Sequence, residues 1–415
     1  MKKKVAIQHL TLGMYVVELD RPWREAPFEM PFHLQGFRLR TVDELEQVKG
    51  LCTYVYIDPS LGKDAARYLP DDLRDAGFGP DQLPPISPAN RLDPAYPEVN
   101  TVDEEMVAAR AVLSDTRQTF TKIISDVQAG REMDTAPLRL VVGSLVESVI
   151  RNPDALGWLT RLKEKDRYTY SHSIAVCVLA LTFGRHLGLP RDDMERLGLA
   201  TLLQDIGKLE VPAALLDKPG NLTDAELTVA RRHVAYSVEL LKQHPHFPKR
   251  ALKIIASHHE RYDGSGYPRG IKGDQISFLA TIAGIVDVYD AMVSDRPQRA
   301  RMTSFEALSR IYEMRYREFP GAIVEHFIHC VGIFPIGTFV RLNTGDVGVV
   351  VARNRVHQLK PRVMVVHDAE RGRMGDPPTV DLAEMESGDD ARPWRVSAVV
   401  DPREYGIDPA EFFVA

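Results

Sequence analysis

Between Leu138 and Gly332 nearly every segment carries helical periodicity, and two runs, HSIAVCVLALTFGRHLG at 172–188 and FLATIAGIVDVYDAMVSD at 278–295, are apolar on most of their faces. A helix without a polar face has to be enclosed by other helices. The chain is therefore expected to build a helical bundle around these runs, and ionisable groups within them are forced indoors. An unpartnered neutral polar group costs roughly 2 to 7 kcal/mol to bury, and a charge more. The residues so placed are His172 in the first run, Asp205 after LGLATLL, His233 in VARRHVAYSVELL, His258 and His259 after ALKIIAS, and Asp287 in TIAGIVDVYDAM. Singly, each reads as a hydrogen-bonded core group. Together they offer four imidazoles and two carboxylates from one domain. Nitrogen and carboxylate donors without thiolate suit iron, manganese or zinc. The set is large enough for two metals sharing a carboxylate, an arrangement that generates hydroxide and neutralises charge in phosphoester hydrolysis.

The flanks follow other periods. Residues 1–75 combine short β-rich runs, Met14–Val17 and Thr53–Ile57, with a helical pattern, TVDELEQVKGL, opened by a Thr-x-x-Glu capping box; they read as a small β-rich module. The stretch from Gly79 to Glu98 holds six prolines and sits in an extended linker over 76–103. In a connecting helix expected over 104–135, Met106, Ala109, Leu113, Thr116, Phe120, Ile123 and Val127 form an a/d seam. Such a seam either pairs two chains into a homodimer through 106–127 or lies on its own domain. The helical domain takes 136–335. From 336 to 415, Phe339–Leu342, a turn at Asn343-Thr344-Gly345-Asp346, VGVVV and Val363–Val366 predict a small sheet. A surface loop over Asp368–Asp390 and a last strand near Val396–Val400 complete it. The expected class is mainly α: a helical bundle with a small β-rich N-terminal domain and a short C-terminal β sheet.

Several functions are disfavoured. A formal charge of -6 over 415 residues gives no footprint for a nucleic-acid polymer. Cys52, Cys177 and Cys330 are far apart in apolar runs, as reduced core thiols of a cytoplasmic protein would be. No run of eighteen uncharged apolar residues calls for a membrane. Gly264-Ser265-Gly266 lacks the spacing and strand-to-helix setting of a nucleophile elbow. His326 and His329, at i and i+3, read as the end of an amphipathic helix.

One longer pattern gathers the buried residues. Its most specific part is SHHERYDGSGYPRG at 257–270, joined by Tyr168-Thr169-x-x-His172-Ser173, Asp205-Ile206-Gly207-Lys208, KPGNLTDAE at 218–226, His233, Asp287-x-x-Asp290-Ala291 and Ser294-Asp295-Arg296-Pro297-x-Arg299. Over about 165–345 the chain resembles the HD-GYP family, a branch of the HD phosphohydrolase superfamily that hydrolyses the bacterial second messenger cyclic di-GMP. Residues 1 to about 75 are similar to an uncharacterised domain that often precedes it. The resemblance implies an HD-type bundle binding two divalent ions, iron or manganese. Their ligands would be His172, Asp205, His233, His258, His259 and Asp287, with Asp205 bridging. Asp205 and Lys208 would stand at the catalytic centre, where a metal-activated hydroxide attacks cyclic di-GMP to give pGpG and GMP. Lys208, Arg296 and Arg299 would meet phosphates, and Gly266, Tyr267 and Pro268 would shape the substrate pocket. The resemblance further implies contacts between the glycine-tyrosine-proline loop and GGDEF-type cyclase domains, and a part in biofilm, motility and virulence control.

The chain departs from the pattern at Gln204, where the family's name-giving histidine belongs. A glutamine offers a metal only a carbonyl oxygen in place of an imidazole nitrogen. One metal position is thereby weakened, and an alternative to the phosphodiesterase opens: a receptor that binds cyclic di-GMP without cleaving it. Tyr168 stands where some members carry a carboxylate for a third metal, so two metals are expected rather than three.

Overall fold

The computed structural model describes residues 3–6, 15–19, 37–38, 48–49, 52, 54–57, 96–161, 168–218, 220–244, 246–294, 302–332, 334–354, 360–370, 372–375, 377–384 and 394–407. Most of TVDELEQVKGL and of the proline-rich linker, together with Arg296 and Arg299, lies outside the described residues, as does the side chain of Tyr168. The N-terminal strands β1 (Lys3–Ala6), β2 (Tyr15–Leu19), β3 (Phe37–Arg38) and β4 (Tyr54–Ile57) form an antiparallel sheet in the order β1-β4-β2-β3. Val16 and Val55 are buried within it.

Helix α1 (Val102–Gln128) opens on a capping box: the Thr101 hydroxyl accepts from the Glu104 amide, and the Glu104 carboxylate accepts from the Thr101 amide at 2.7 Å. It packs along α2 (Ala136–Arg151) and α3 (Pro153–Arg161). The seam over 106–127, open in the sequence between a homodimer and its own domain, is covered from within the chain. Ala109, Leu113, Thr116, Phe120 and Ile123 are all buried inside this chain, so the seam faces its own domain. A heptad shows that a face is covered without saying by what.

A buried ion pair fixes that packing. Glu105, fully enclosed on α1, takes both Arg151 nitrogens (2.8 and 2.6 Å), the Ser148 hydroxyl (2.8 Å) and the Asn100 amide (2.8 Å). The preceding segment is pinned as well: the Tyr96 hydroxyl donates to the Leu189 carbonyl (2.7 Å), and Arg185 donates to the Tyr96 carbonyl (2.7 Å).

The apolar runs become α4 (Tyr168–His186) and α10 (Phe278–Val293), which cross in the core. Around them lie α5 (Arg191–Leu203), a 3-10 turn at Ile206–Glu210, α6 (Ala213–Leu216), α7 (Asp224–Arg231), α8 (His233–Lys242), α9 (Lys249–Ile255), α11 (Ser304–Glu313) and α12 (Gly321–Val331). KPGNLTDAE sets the start of α7. Thr223 and Glu226 form its capping box, and Lys218 holds both Glu226 oxygens at 2.7 and 2.8 Å. No described helix is long and apolar enough to cross a membrane.

The tail forms the expected antiparallel sheet, ordered β10-β5-β6-β7-β8, with β9 pairing β7. Its strands are β5 (Phe339–Leu342), β6 (Val347–Ala352), β7 (Arg362–Asp368), β8 (Gly372–Arg373), β9 (Thr379–Asp381) and β10 (Val396–Val399). Gly345, at φ +93°, closes the β5–β6 turn. Arg353 joins this sheet to the bundle, donating to Asp154 at the head of α3 and to the Cys330 carbonyl near the end of α12.

The α1 ion pair gives an asymmetric expectation, because the Arg151 side chain is 32% exposed and that of Glu105 is 0% exposed. Arg151→Ala strands a buried carboxylate and is expected to cost roughly 3 kcal/mol or more. Glu105→Ala leaves a guanidinium that can reach water and costs less. Urea denaturation of the two variants checks this, and equal losses would contradict it.

Candidate metal centre

The site is built where three close packings meet. Asp205 follows the end of α5 and leads into the 3-10 turn, which docks on the first turn of α8. A Cβ on Gly207 would fall 2.2 Å from the His233 carbonyl and 2.4 Å from the Ser237 amide, so only glycine permits the approach. The Ser237 hydroxyl clasps it, accepting from the Gly207 amide and donating to the Gln204 carbonyl, both at 2.8 Å. Asp205 Oδ1 is thereby held 3.3 Å from His233 Nε2. Gly284 plays the same part on α10, where a Cβ would sit 2.7 Å from the His258 carbonyl. Asp287, three residues on, comes over the histidine pair.

Hydrogen bonds fix which nitrogen each imidazole presents. His233 and His258 direct Nδ1 at the carbonyls of Ala230 (2.8 Å) and Ile255 (2.7 Å), which can only accept. Their Nε2 lone pairs are left facing the site. His172 is oriented by a carboxylate: Asp290 Oδ2 lies 2.6 Å from its Nδ1, while Nε2 faces Asp287 Oδ1 at 3.1 Å and Asp205 Oδ2 at 3.7 Å. This is the carboxylate–histidine arrangement that steers a metal-binding imidazole.

Two groups of potential ligand atoms result among the described residues, each with its atoms within 4.8 Å of one another: Asp205, His233, His258 and His259, and His172, Asp205 and Asp287. Asp205 belongs to both. Asp205 Oδ1, His233 Nε2, His258 Nε2 and Gln204 Oε1 are buried without a hydrogen-bond partner. Three of these atoms belong to one ligand group, and orphaned lone pairs so gathered are a heavy desolvation cost unless a cation answers them. The residues fit a pair of divalent metals.

Protonation is consistent with that fit. Burial pushes His258 down to about 4, outweighing the nearby carboxylates, and burial together with the neighbouring His258 holds His259 well below its ordinary value. Burial opposes ionisation of Asp205 and Asp287, yet both stay below the usual carboxylate range. Lys208 and His233 outweigh burial for Asp205; the His172 hydrogen bond and His259 do so for Asp287. His172 is the exception: burial disfavours its charge, but hydrogen bonds to Asp287 and Asp290 carry it up to about 9. Its proton would leave when Nε2 takes a metal.

The loop after the histidines forms one wall. A Cβ on Gly266 would lie 2.4 Å from both the Arg261 amide nitrogen and the His259 carbonyl. The Tyr267 amide donates to that carbonyl at 3.1 Å, and its ring stacks on His259 at 4.6 Å between centroids. Burial, then the charges of Asp287 and Asp205, push the phenol above its ordinary range. Pro268 is exposed. Lys208 Nζ lies 2.6 Å from Asp205 Oδ2. His326 lies outside both groups, 3.5 Å from His186, and His329 stands with it on α12.

Four contributors were not assigned roles from sequence. Asp290 orients His172. Glu260, buried beneath the loop, accepts the Arg269 and Ile271 amides at 2.9 and 3.2 Å. Arg261 donates to the Glu260 and His258 carbonyls at 2.9 and 3.3 Å. Arg231 places its guanidinium 4.8 Å from the Tyr267 ring centroid, adding a cation beside the site. The one available signal was the i, i+3 spacing of Asp290 from Asp287, which puts both on one helix face.

Comparison with known proteins agrees with this architecture. The HD domain family matches residues 152–323, a domain of unknown function (DUF3391) matches 2–138, and a KOW domain associated with HD domain matches 339–387. The chain is 36% identical over 370 residues to cyclic di-GMP phosphodiesterase PA4108 of Pseudomonas aeruginosa, covering 89% of this chain and 86% of that protein. It is 35% identical over 187 residues to the cyclic di-GMP phosphodiesterase response regulator RpfG of Xanthomonas campestris pv. campestris, covering 45% of this chain and 50% of the relative. It is 41% identical over 149 residues to 3'3'-cGAMP-specific phosphodiesterase 3 of Vibrio cholerae, covering 36% and 32%. With the first of these likenesses running nearly end to end, and the histidine pair, the glycine-tyrosine-proline loop and the shared aspartate converging on one centre, the chain belongs to the HD-GYP family of the HD superfamily.

Proposed function

We propose that this protein is a metal-dependent phosphodiesterase that hydrolyses cyclic di-GMP to pGpG and GMP. The observation that carries the reading is the pair of ligand groups sharing Asp205, with orphaned lone pairs between them. Two divalent ions, iron or manganese, would be held by His233, His258 and His259 on one side, His172 and Asp287 on the other, and Asp205 between. When bound, paired metals turn water into a nucleophile near neutral pH and neutralise phosphodiester charge.

The protein's own groups position the substrate. Lys208 and Arg231 bring cations to the phosphates, and Tyr267, backed by His259, offers an aromatic face to a guanine. Arg296 and Arg299 add phosphate contacts in this reading. The relative matched along most of its length is named for cyclic di-GMP, which favours that substrate. The exposed loop residues Ser265, Pro268 and Arg269 are the surface on which a GGDEF-type partner would dock.

A second reading rests on Gln204: a receptor that retains the pocket and binds cyclic di-GMP without cutting it. Chromatographic detection of pGpG with the full-length protein separates the two. The enzyme reading expects turnover by the wild type and a loss of at least about 100-fold in Asp205→Ala, which breaks both ligand groups. Turnover that survives Asp205→Ala would sink it. Binding without turnover, with hydrolysis appearing in Gln204→His, would establish the receptor.

Gly266→Ala tests the loop separately. Its methyl has no room, so Tyr267 must shift, and substrate capture is expected to fall by roughly 100-fold, a larger loss than that in metal content. Isothermal titration with cyclic di-GMP reads the first and elemental analysis the second. An unaffected affinity would remove the loop from the pocket.

A further inference from the structure

The two ligand groups differ in chemistry. One combines the Asp205 carboxylate with three imidazoles, His233, His258 and His259; the other has a single imidazole, His172, and two carboxylates, Asp205 and Asp287. Gln204 sits against the second. Its Nε2 donates to Asp287 Oδ1 at 3.1 Å, an orientation assigned from the ionised carboxylate, which can only accept. The amide oxygen is therefore the remaining atom, and it is buried, in a residue 2% exposed, with no hydrogen-bond partner. A buried amide oxygen left unsatisfied, on a side chain whose nitrogen is bonded to the Asp287 carboxylate, has a cation as its natural complement.

From this we infer that the protein holds an unequal pair of metals: a tight, nitrogen-rich position at His233, His258 and His259, and a weak, oxygen-rich position at His172, Asp287 and Gln204, with Asp205 shared. Imidazole-rich sites suit iron and zinc, whereas carboxylate and carbonyl donors suit manganese and magnesium. Gln204 thus narrows the preference among ions at the second position instead of abolishing the position. Zinc binds more tightly than manganese at most sites, so the signature is relative: discrimination between the two ions is smaller at the second position than at the first. The inference rests on the metal-dependent reading above.

The test is metal binding by the full-length chain, read without any assay of activity. Wild type, Gln204→His and His172→Ala are equilibrated with Zn²⁺ and Mn²⁺, passed over a chelating resin, and analysed by mass spectrometry for retained zinc and by electron paramagnetic resonance for manganese. Wild type is expected to keep about one zinc per chain and to refill a second, weaker position with manganese. Gln204→His is expected to raise zinc affinity at the second position by at least roughly 10-fold, so that it too survives the resin. His172→Ala is expected to lose only the second position, and it decides the matter should Gln204→His fail to fold. Two equally retained zincs in the wild type, an unchanged profile in Gln204→His, or loss of both positions in His172→Ala would overturn the inference and leave the metal-dependent reading standing. A wild type that keeps no metal would overturn both.

Discussion

Everything at the centre is organised around one ionised carboxylate, Asp205, held indoors. A lone buried charge costs several kcal/mol even after relaxation, and here one of its oxygens is answered by Lys208 at 2.6 Å, while the other faces the His233 Nε2 lone pair at 3.3 Å and is left for a cation. The position is set by backbone contact: the 3-10 turn reaches α8 because residue 207 has no side chain, and Ser237 ties the two together. The large apolar helices α4 and α10 supply the enclosing walls and so deepen every electrostatic interaction within. Their hydrophobicity and the site's chemistry are two aspects of one design.

The same logic decides what could be read from the sequence. Helices apolar on all faces require a bundle, and ionisable residues inside them stand out because their burial needs a reason. The tail sheet was legible from a turn, Asn343 to Asp346, whose glycine takes a left-handed backbone. Orientation was not legible. Asp290 acts on a histidine 118 positions away, and Glu260 acts on amides 9 and 11 residues downstream. Beyond the i, i+3 spacing of Asp290 from Asp287, nothing in local pattern distinguishes such residues from an ordinary solvated acid. The seam on α1 shows the limit from the other side: its period correctly marks a buried face, but period carries no information about the partner, which is the chain's own α2 and α3.

The loop carrying Gly266 and Tyr267 shows how a glycine-rich segment can still offer a defined surface. Its backbone amides at 269 and 271 converge on the buried Glu260, Arg261 binds the carbonyls at its root, and the Tyr267 ring rests on His259. A wall anchored from beneath presents its groups with little further ordering when a ligand arrives. Because Tyr267 leans on one of the proposed ligands, the pocket and the metal position share a common piece of framework.

The pinning of residues 96–105 has a mechanical meaning. Helix α1 is 27 residues long, roughly 40 Å at the usual rise, and its first turn is bolted to α2 by a buried ion pair, while the chain just before it is fastened to Leu189 and Arg185. A joint placed here would have to break that ion pair in order to bend. The entry to α1 is thus tied at once to α2, through Arg151, and to α4, through Arg185, and α4 is the helix that carries His172.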